Sequence, residues 1–224
     1  MYSQLKKDIS NNQSLSSSIF NILRERILKG EYAAGEKIIE NQIANELKVS
    51  RTPIREAFKQ LEQAGLIETI SNRGAFVLGF TKQDIDDIYE IRKAIESIAI
   101  VWAMERISEE ELDKLKETYE LMEFYCNKGD VEKILEMNNQ FHDIIYKATD
   151  SRFLSHILKT YQFYVEKTRK AAVVESRIKE TTREHKNILN AFMNRNTEQG
   201  MNEIIRHLEN GKVRASHGMK IVEK

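Results

Sequence analysis

Three of the five histidines stand on apolar helix faces in the second half of the chain. His142 has Asn138 one turn before it, and His185 and His207 each share a face with aliphatic side chains. Imidazoles from three helices that meet inside a bundle form a site for zinc, nickel, copper or iron, to which Asn138 would add a carbonyl oxygen. A single inward histidine is more often an ordinary core residue. The spacing alone therefore leaves both interpretations open.

An arginine interrupts an apolar stripe at an earlier position in the chain, N-terminal to these histidines. Arg92 lies in the middle of a run with the spacing of a buried helix face, namely Ile85, Ile88, Arg92, Ile95, Ala99 and Trp102. A buried guanidinium requires a partner. The spacing offers two partners, which are Glu96 one turn later in an internal ion pair, or an anionic ligand inside the bundle.

Basic residues also follow a helical repeat in the first third of the chain. Arg51, Arg55 and Lys59 are four residues apart and form one stripe, about 100° from the apolar face of the same helix. The first turn of this helix adds the Ser50 and Thr52 hydroxyls and free backbone N–H groups, which suit phosphates and base edges. A basic stripe alone is often only a solvated face. With an arginine at the tip of a following hairpin, it predicts DNA binding.

The elements around this stripe predict a winged helix-turn-helix. Helices are expected over residues 19–29, 40–48 and 50–64, and β-prone runs over residues 66–70 and 75–78. Pro53 lies in the first turn of the third helix, where a missing N–H is tolerated. The two β-prone runs flank an Asn/Gly turn that places Arg73 at the tip of a hairpin. We therefore expect a flexible N-terminus over residues 1–13 and a DNA-binding domain over residues 14–79.

Glycine becomes scarce after Thr81, and the spacing of apolar residues then predicts a succession of helices. Six helices are expected over residues 82–105, 108–127, 131–148, 152–170, 176–194 and 198–215. The whole chain has 1 Pro and 9 Gly, too few breakers for a β-rich fold. We predict a mainly α protein, with an N-terminal winged helix-turn-helix and an all-α antiparallel helical bundle over residues 80–224.

Charge and cysteine content exclude several classes of protein. The 224 residues carry 35 Lys+Arg and 35 Asp+Glu, which excludes a globally basic nucleic-acid coat protein. Residues 1–79 hold 11 basic and 9 acidic side chains, so DNA affinity must depend on a few placed residues. The single cysteine, Cys126, rules out an internal disulfide, and no segment has the pattern of a signal peptide or membrane span. The expected location is the cytoplasm.

Several motifs resemble one family of bacterial transcription regulators. The block VSRTPIREAFKQLEQAGLIE is similar to the DNA-binding domain of the GntR family. The later fragments DIYEIRKAIESIA, GDVEKILEMNNQFHDII, EHKNILNAF and IIRHLE resemble the FCD ligand-binding domain of its FadR subfamily, in the six-helix, VanR-like variant. The resemblance covers nearly the whole chain after the first dozen residues.

The resemblance implies roles for individual residues in DNA binding. The positions matched to the family's recognition helix are Ser50, Arg51, Thr52, Pro53 and Arg55. Arg73 and Gly74 match the wing tip that enters the minor groove. Asn41 stands where family members often carry a base-reading arginine, so this chain departs from the pattern there.

The resemblance also implies a metal and an effector. His142, His185 and His207 match the family's metal ligands, but Asn138 stands in place of the usual Asp. The implied cofactor is a divalent transition metal, zinc or nickel, and the missing carboxylate lowers the expected affinity. Arg92 matches an arginine of the ligand cavity, where a small carboxylate effector would bind. The second domain would thus bind the effector and form the homodimer.

Together these features predict a cytoplasmic repressor and not an enzyme, with a pseudo-palindromic DNA operator as its partner and no membrane association. Two alternatives are a metal-dependent enzyme that uses the same three histidines, and a ligand-binding protein without DNA affinity. The first does not explain why Arg51, Arg55 and Lys59 share one face, and the second does not explain the hairpin tip.

Overall fold

The computed structural model describes residues 14–79, 81–170 and 175–218. The predicted flexible N-terminus lies outside the described residues. The described part of the chain forms two compact units that divide between Thr81 and Lys82.

The described residues of the first unit form three helices and three short strands. They are α1 (Leu15–Leu28), β1 (Lys37–Ile38), α2 (Glu40–Leu47), α3 (Arg51–Gln63), β2 (Ile67–Ile70) and β3 (Gly74–Val77). Lys48 ends α2 in the left-handed conformation (φ 54°), so the chain turns directly into α3. Ile54 and Leu61 of α3 are fully buried, which anchors one face of that helix and leaves the opposite face in solvent.

The sheet of this unit is larger than the sequence predicted. Its strand order is β1-β3-β2 with antiparallel pairs, whereas only the β2–β3 hairpin was expected. The hairpin closes at the Ile70–Gly74 pair, and Asn72 adopts a positive φ in its turn. The additional strand β1 pairs Lys37 with Phe76. Two residues are too few to produce a detectable alternation of polar and apolar side chains.

The second unit consists of six helices in its described residues. They are α4 (Lys82–Arg106), α5 (Glu109–Lys128), α6 (Val131–Ala148), α7 (Arg152–Lys170), α8 (Glu175–Met193) and α9 (Thr197–Gly218). Ser108 and Glu111 form a reciprocal capping box at the start of α5, and Gly129 ends α5 in the left-handed conformation.

The helices of this unit pack around one apolar core. Helix α4 packs against α6, α7 and α9, while α5 packs against α6 and α8, and α8 against α9. Helices α4, α6, α8 and α9 therefore share the interior in which the predicted histidines lie. The mainly α fold class, a winged helix-turn-helix followed by a helical bundle, is confirmed. Among the helices described, none is both long enough and apolar enough to cross a bilayer.

Candidate functional site

The three predicted histidines lie together inside the helical unit. His142 of α6, His185 of α8 and His207 of α9 are at most 1% exposed. Each offers one ring nitrogen, and these nitrogens all lie within 4.8 Å of one another. The convergence on which a metal site depends is thus present in the structure.

Oxygen atoms behind two of the rings define their orientation. His185 Nδ1 lies 2.7 Å from the carbonyl oxygen of Thr181, and His207 Nδ1 lies 2.7 Å from Glu184 Oε2. Both oxygens are acceptors, so each Nδ1 carries a proton, and in the neutral ring Nε2 carries the lone pair. A neutral imidazole in this tautomer is oriented to bind a metal through Nε2.

One pair of ring nitrogens has the spacing that a shared transition metal requires. The Nε2 atoms of His142 and His185 lie 3.3 Å apart. Two nitrogens bound to zinc at about 2.0–2.1 Å with a tetrahedral angle lie about 3.3–3.4 Å apart. Three imidazole nitrogens are also donors that zinc and nickel favour. The residues present therefore fit a divalent transition ion.

Arg92 and Glu96 form a buried ion pair beside the histidines. Each is 1% exposed, and Arg92 Nε and Nη2 both lie 2.7 Å from Glu96 Oε1. Burial acts to lower the pKa of Arg92, but the Glu96 carboxylate, together with Tyr146 and Tyr89, outweighs burial and raises this pKa above its ordinary value. The internal partner considered for Arg92 is therefore present, and the guanidinium remains charged.

Two atoms of this ion pair remain available for further contacts. Arg92 Nη1 and Glu96 Oε2 have no hydrogen-bond partner among the described residues. Glu96 Oε2 lies 3.9 Å from His142 Nδ1, so the pair borders the histidine centre. Nη1 is a donor, so Arg92 keeps hydrogen-bonding capacity beyond its internal partner.

Asn138 lies one turn before His142 on the same buried face of α6. It is 3% exposed, and its Nδ2 donates a hydrogen bond to Asn139 Oδ1 at 3.2 Å. Asn138 and His207 line the same cavity in the bundle. The four residues predicted as metal ligands thus surround one region of the interior.

Glu184 is a site residue that the sequence analysis missed. Its carboxylate accepts hydrogen bonds from Arg214 Nη1 and Nη2 at 2.9 and 2.8 Å, and from Asn210 Nδ2 at 2.8 Å. These contacts hold the carboxylate that orients His207. The signal available in the sequence was spacing, because Arg214 follows His207 by seven residues and so shares its helix face.

The second group of predicted residues lies at the start of α3 in the first unit. Arg51 and Arg55 are exposed by 54% and 58%, and both reach Glu40. Glu40 Oε2 accepts hydrogen bonds from Arg51 Nη2 at 2.9 Å and from Arg55 Nε at 3.0 Å. Partial burial acts to raise the pKa of Glu40, but these two arginines outweigh it and lower that pKa. The role of Glu40 was not predicted.

The remaining residues of this surface are polar and accessible. Ser50 precedes α3, and its exposed hydroxyl makes no capping hydrogen bond. Thr52 and Lys59 are exposed, whereas Pro53 is half-buried in the first turn. Ser50 and Thr52 therefore offer hydroxyl groups beside the Arg51–Arg55 pair.

Two basic side chains lie near the hairpin turn. Arg73 is exposed and lies 5.9 Å from the Phe76 ring, and Lys37 of β1 lies 6.0 Å from the same ring. Gly74 has a φ of 104°, and a Cβ there would lie 2.8 Å from Lys37 Cε. Because β1 was not predicted, Lys37 was missed as a neighbour of the wing tip.

One surface cavity connects the wing to the helices. Asn41, Arg51 and Gly74 all line it, together with Glu40 and Lys37. The structure thus brings the start of α2, the start of α3 and the wing to one surface. A helix N-terminus, a basic pair and a wing on one surface match the requirements of a DNA-binding face.

Comparison with known proteins agrees with these features. Residues 15–77 match the family described as bacterial regulatory proteins, gntR family, and residues 87–210 match the FCD domain. The uncharacterized HTH-type transcriptional regulator YdhC of Bacillus subtilis is 30% identical over 190 residues, 84% of this chain and 85% of that protein. The gluconate operon transcriptional repressor of the same species is 31% identical over 135 residues, 60% of this chain and 55% of that one.

A solved structure shares the fold. Escherichia coli McbR/YncC superposes with a TM-score of 0.73 at 22% identity, covering 92% of this chain and 98% of that one. Both matched families and the named relatives concern regulators, which supports the expectation that this protein is not an enzyme. The chain belongs to the GntR family of bacterial regulatory proteins and, with its C-terminal FCD domain, is a DNA-binding transcription regulator.

Proposed function

We propose that this regulator is a repressor whose operator affinity is controlled by a small carboxylate effector at the three-histidine centre. The first domain, residues 14–79, binds one half-site of a pseudo-palindromic operator. The second domain, residues 80–224, binds the effector and a divalent metal and forms the homodimer. Location in the cytoplasm, where the operator is, belongs to the same proposal.

The contacts of α3 support the DNA-binding roles. Arg51 and Arg55 present guanidinium groups on an exposed surface, and a bidentate arginine is the commonest specific contact to guanine in the major groove. Ser50, Thr52 and Lys59 suit phosphate contacts, and Pro53 fixes the first turn that presents them. Arg73 and Gly74 would enter the minor groove, and Asn41 would bind a base or phosphate from the start of α2.

The buried three-histidine centre carries the proposal for the effector. His142, His185 and His207 would hold the ion through Nε2, and Asn138 would add its carbonyl oxygen. A divalent ion held in this way supplies a coordination position for a carboxylate oxygen. Three buried imidazoles whose ring nitrogens converge are hard to explain as core packing alone.

The charges around the centre favour an anionic effector. Glu184 is neutralised by Arg214, and Glu96 by Arg92. Asn138 and neutral imidazoles carry no charge, so the double positive charge of the ion has no carboxylate of its own to balance it. Since an unbalanced buried charge is costly, an anion entering the cavity would be strongly stabilised. The free Arg92 Nη1 would add a further donor for that anion.

Similarity to a repressor supports the proposal of repression, and the geometry of a palindromic operator supports the proposal of a dimer. A relative of this chain is named the gluconate operon transcriptional repressor. One winged domain contacts only a few base pairs, and two domains related by a twofold axis contact both halves of a palindrome. An effector that changes the spacing of the two halves would change operator affinity.

Operator binding measured with and without zinc and carboxylates tests the proposal. Fluorescence anisotropy on DNA from the chain's own promoter region should show salt-dependent binding, weakened when zinc and an effector acid are added together. Sedimentation should show a dimer at micromolar concentration. A monomer would contradict the proposed binding to paired half-sites. DNA binding that does not respond to metal or acid would contradict the proposed regulation by an effector. A metal-dependent hydrolytic activity would instead favour the alternative of an enzyme.

A further inference from the structure

Two adjoining cavities lie on the α8–α9 side of the helical unit. The inner cavity has largely apolar walls, including Met122, Ile134 and Ile178, and reaches Asn138 and His207. The outer cavity is polar, with four arginines and two glutamates in its lining, namely Arg177, Arg183, Arg206, Arg214, Glu180 and Glu184. These side chains give the outer cavity a net charge of +2, from four positive and two negative groups.

The residues of the inner cavity follow three helices away from the histidines. On α8, Thr181 and Arg177 lie one and two turns before His185, and both line the cavity. On α6 the lining runs from Asn138 back to Ile134, and on α9 from His207 on to Gly211 and Arg214. Eight residues of α-helix rise about 12 Å, so Arg177 is well separated from the centre along the helix. The cavity is therefore a passage from His207 to Arg177.

The two arginines that line this cavity differ in their contacts. Arg214 is committed to Glu184, which it holds through two hydrogen bonds of 2.9 and 2.8 Å. Arg177 lines both cavities and is half-buried, yet its guanidinium forms no ion pair with a carboxylate among the described side chains. A half-buried cation beside an apolar passage lacks the counterion that would offset its desolvation.

We propose that the effector is a dicarboxylate whose second acid group binds Arg177. This assignment rests on the proposed function, because the first acid group would bind at the three-histidine centre. The apolar walls fit the carbon chain between the two acid groups, and the positive outer cavity attracts the dianion. A guanidinium binds a carboxylate through two parallel hydrogen bonds, so Arg177 selects for a second acid group at the end of the chain.

Matched acids test the assignment on the full-length protein. Succinate, adipate and suberate are compared with butyrate, hexanoate and octanoate in the presence of saturating zinc at constant ionic strength, by titration calorimetry. At least one dicarboxylate should bind about tenfold or more tightly than the monocarboxylate of equal length, as expected for charge-assisted hydrogen bonds. Arg177→Gln should abolish this preference and leave monocarboxylate affinity and zinc content unchanged.

Arg183→Gln is the matched control, because Arg183 is exposed and lines only the outer cavity. It removes the same charge and should keep the preference. Equal binding of both acid classes by the unmodified protein, or equal loss of preference in the two variants, overturns the role of Arg177. If neither class of acid binds, the proposed carboxylate control itself is overturned. The comparison on the unmodified protein decides the question even if Arg177→Gln does not fold.

Discussion

The Nε2 atoms of His142 and His185 face each other at 3.3 Å. His185 Nδ1 donates its proton to the Thr181 carbonyl oxygen, so His185 directs a lone pair toward His142. Two ring nitrogens at this distance need a proton or a metal ion between them, since facing lone pairs repel. The distance between these two side chains fits either a shared proton or the metal ion proposed above.

Replacing Asn138 by aspartate should tighten metal binding, because a carboxylate adds a negative charge next to the ion. The same change should weaken the binding of an anionic effector, since the centre would then carry one positive charge less. Zinc titration with a competing chelator, with and without adipate, measures both effects.

Gln140→Glu is the control for this change, because it adds the same charge two residues later, at an exposed position on a different face of α6. A zinc affinity for Asn138→Asp that is equal to or weaker than that of the unmodified protein would contradict the charge balance described for the centre.

Glu184→Gln should weaken metal binding by about ten- to a hundredfold, the usual effect of losing a carboxylate that orients a ligating histidine. The substitution also leaves Arg214, which is 17% exposed, without a neutralising partner. Metal content and zinc affinity measure the loss. Glu180→Gln is a suitable control, since Glu180 lies on the same helix but is exposed. Equal zinc affinity in the two variants would mean that Glu184 does not orient His207.

Local patterns in the sequence predicted the helices well. They predicted less well which residues from different elements meet in the folded chain. The start of α5 is readable because Ser108 and Glu111 cap it within four residues, and its end because Gly129 adopts a left-handed conformation. Strand β1 was missed because its pairing with β3 spans 37 or more residues and leaves no local pattern. Whether His142, His185 and His207 meet depends on how three helices pack, which spacing along one helix does not determine.

The site residues that the sequence did not predict were missed for the same physical reason. Glu184 directly precedes His185, but adjacent residues on a helix point about 100° apart, so the apolar face that identified His185 gave no reason to select Glu184. Its partners Asn210 and Arg214 come from a different helix. Glu40 was likewise missed because it meets Arg51 and Arg55 only after α2 turns into α3.

Arg55→Ala should weaken operator binding by about 1–3 kcal/mol if its guanidinium forms a bidentate contact to a base. Lys59→Ala removes one charge from the same stripe and should weaken binding to operator and unrelated DNA to a similar extent. Anisotropy titrations at fixed salt on both DNAs distinguish a base contact from a phosphate contact. If Arg55→Ala binds the operator as tightly as the unmodified protein does, Arg55 is not a recognition residue.

Gly200→Ala should destabilise the helical domain although alanine favours helices. A Cβ at this position in α9 would overlap Met104 Cε of α4 and lie 2.8 Å from Ile100 Cγ2. Overpacking costs about 1–3 kcal/mol, whereas the gain in helix propensity is about 1 kcal/mol, so we expect a net loss of about 1 kcal/mol. Urea unfolding measures it, and Asn202→Ala, on the exposed face of α9, should instead leave stability unchanged or raise it. Stabilisation by Gly200→Ala would show that α4 and α9 can separate without cost.

Glu40→Gln should reduce the ratio of specific to non-specific DNA affinity. Glu40 holds Arg51 and Arg55 in fixed positions, and their hydrogen bonds keep its pKa below the ordinary value of 4.5, so the carboxylate is ionised at neutral pH. Glutamine removes a negative charge that repels phosphates, which should strengthen binding to unrelated DNA. It also releases two arginines from a defined orientation, which should weaken base-specific contacts. Anisotropy on operator and unrelated DNA gives the ratio, with Glu62→Gln as the control, since Glu62 is an exposed carboxylate near the end of α3. A ratio that is unchanged, or altered equally by Glu62→Gln, would show that Glu40 acts only through its charge.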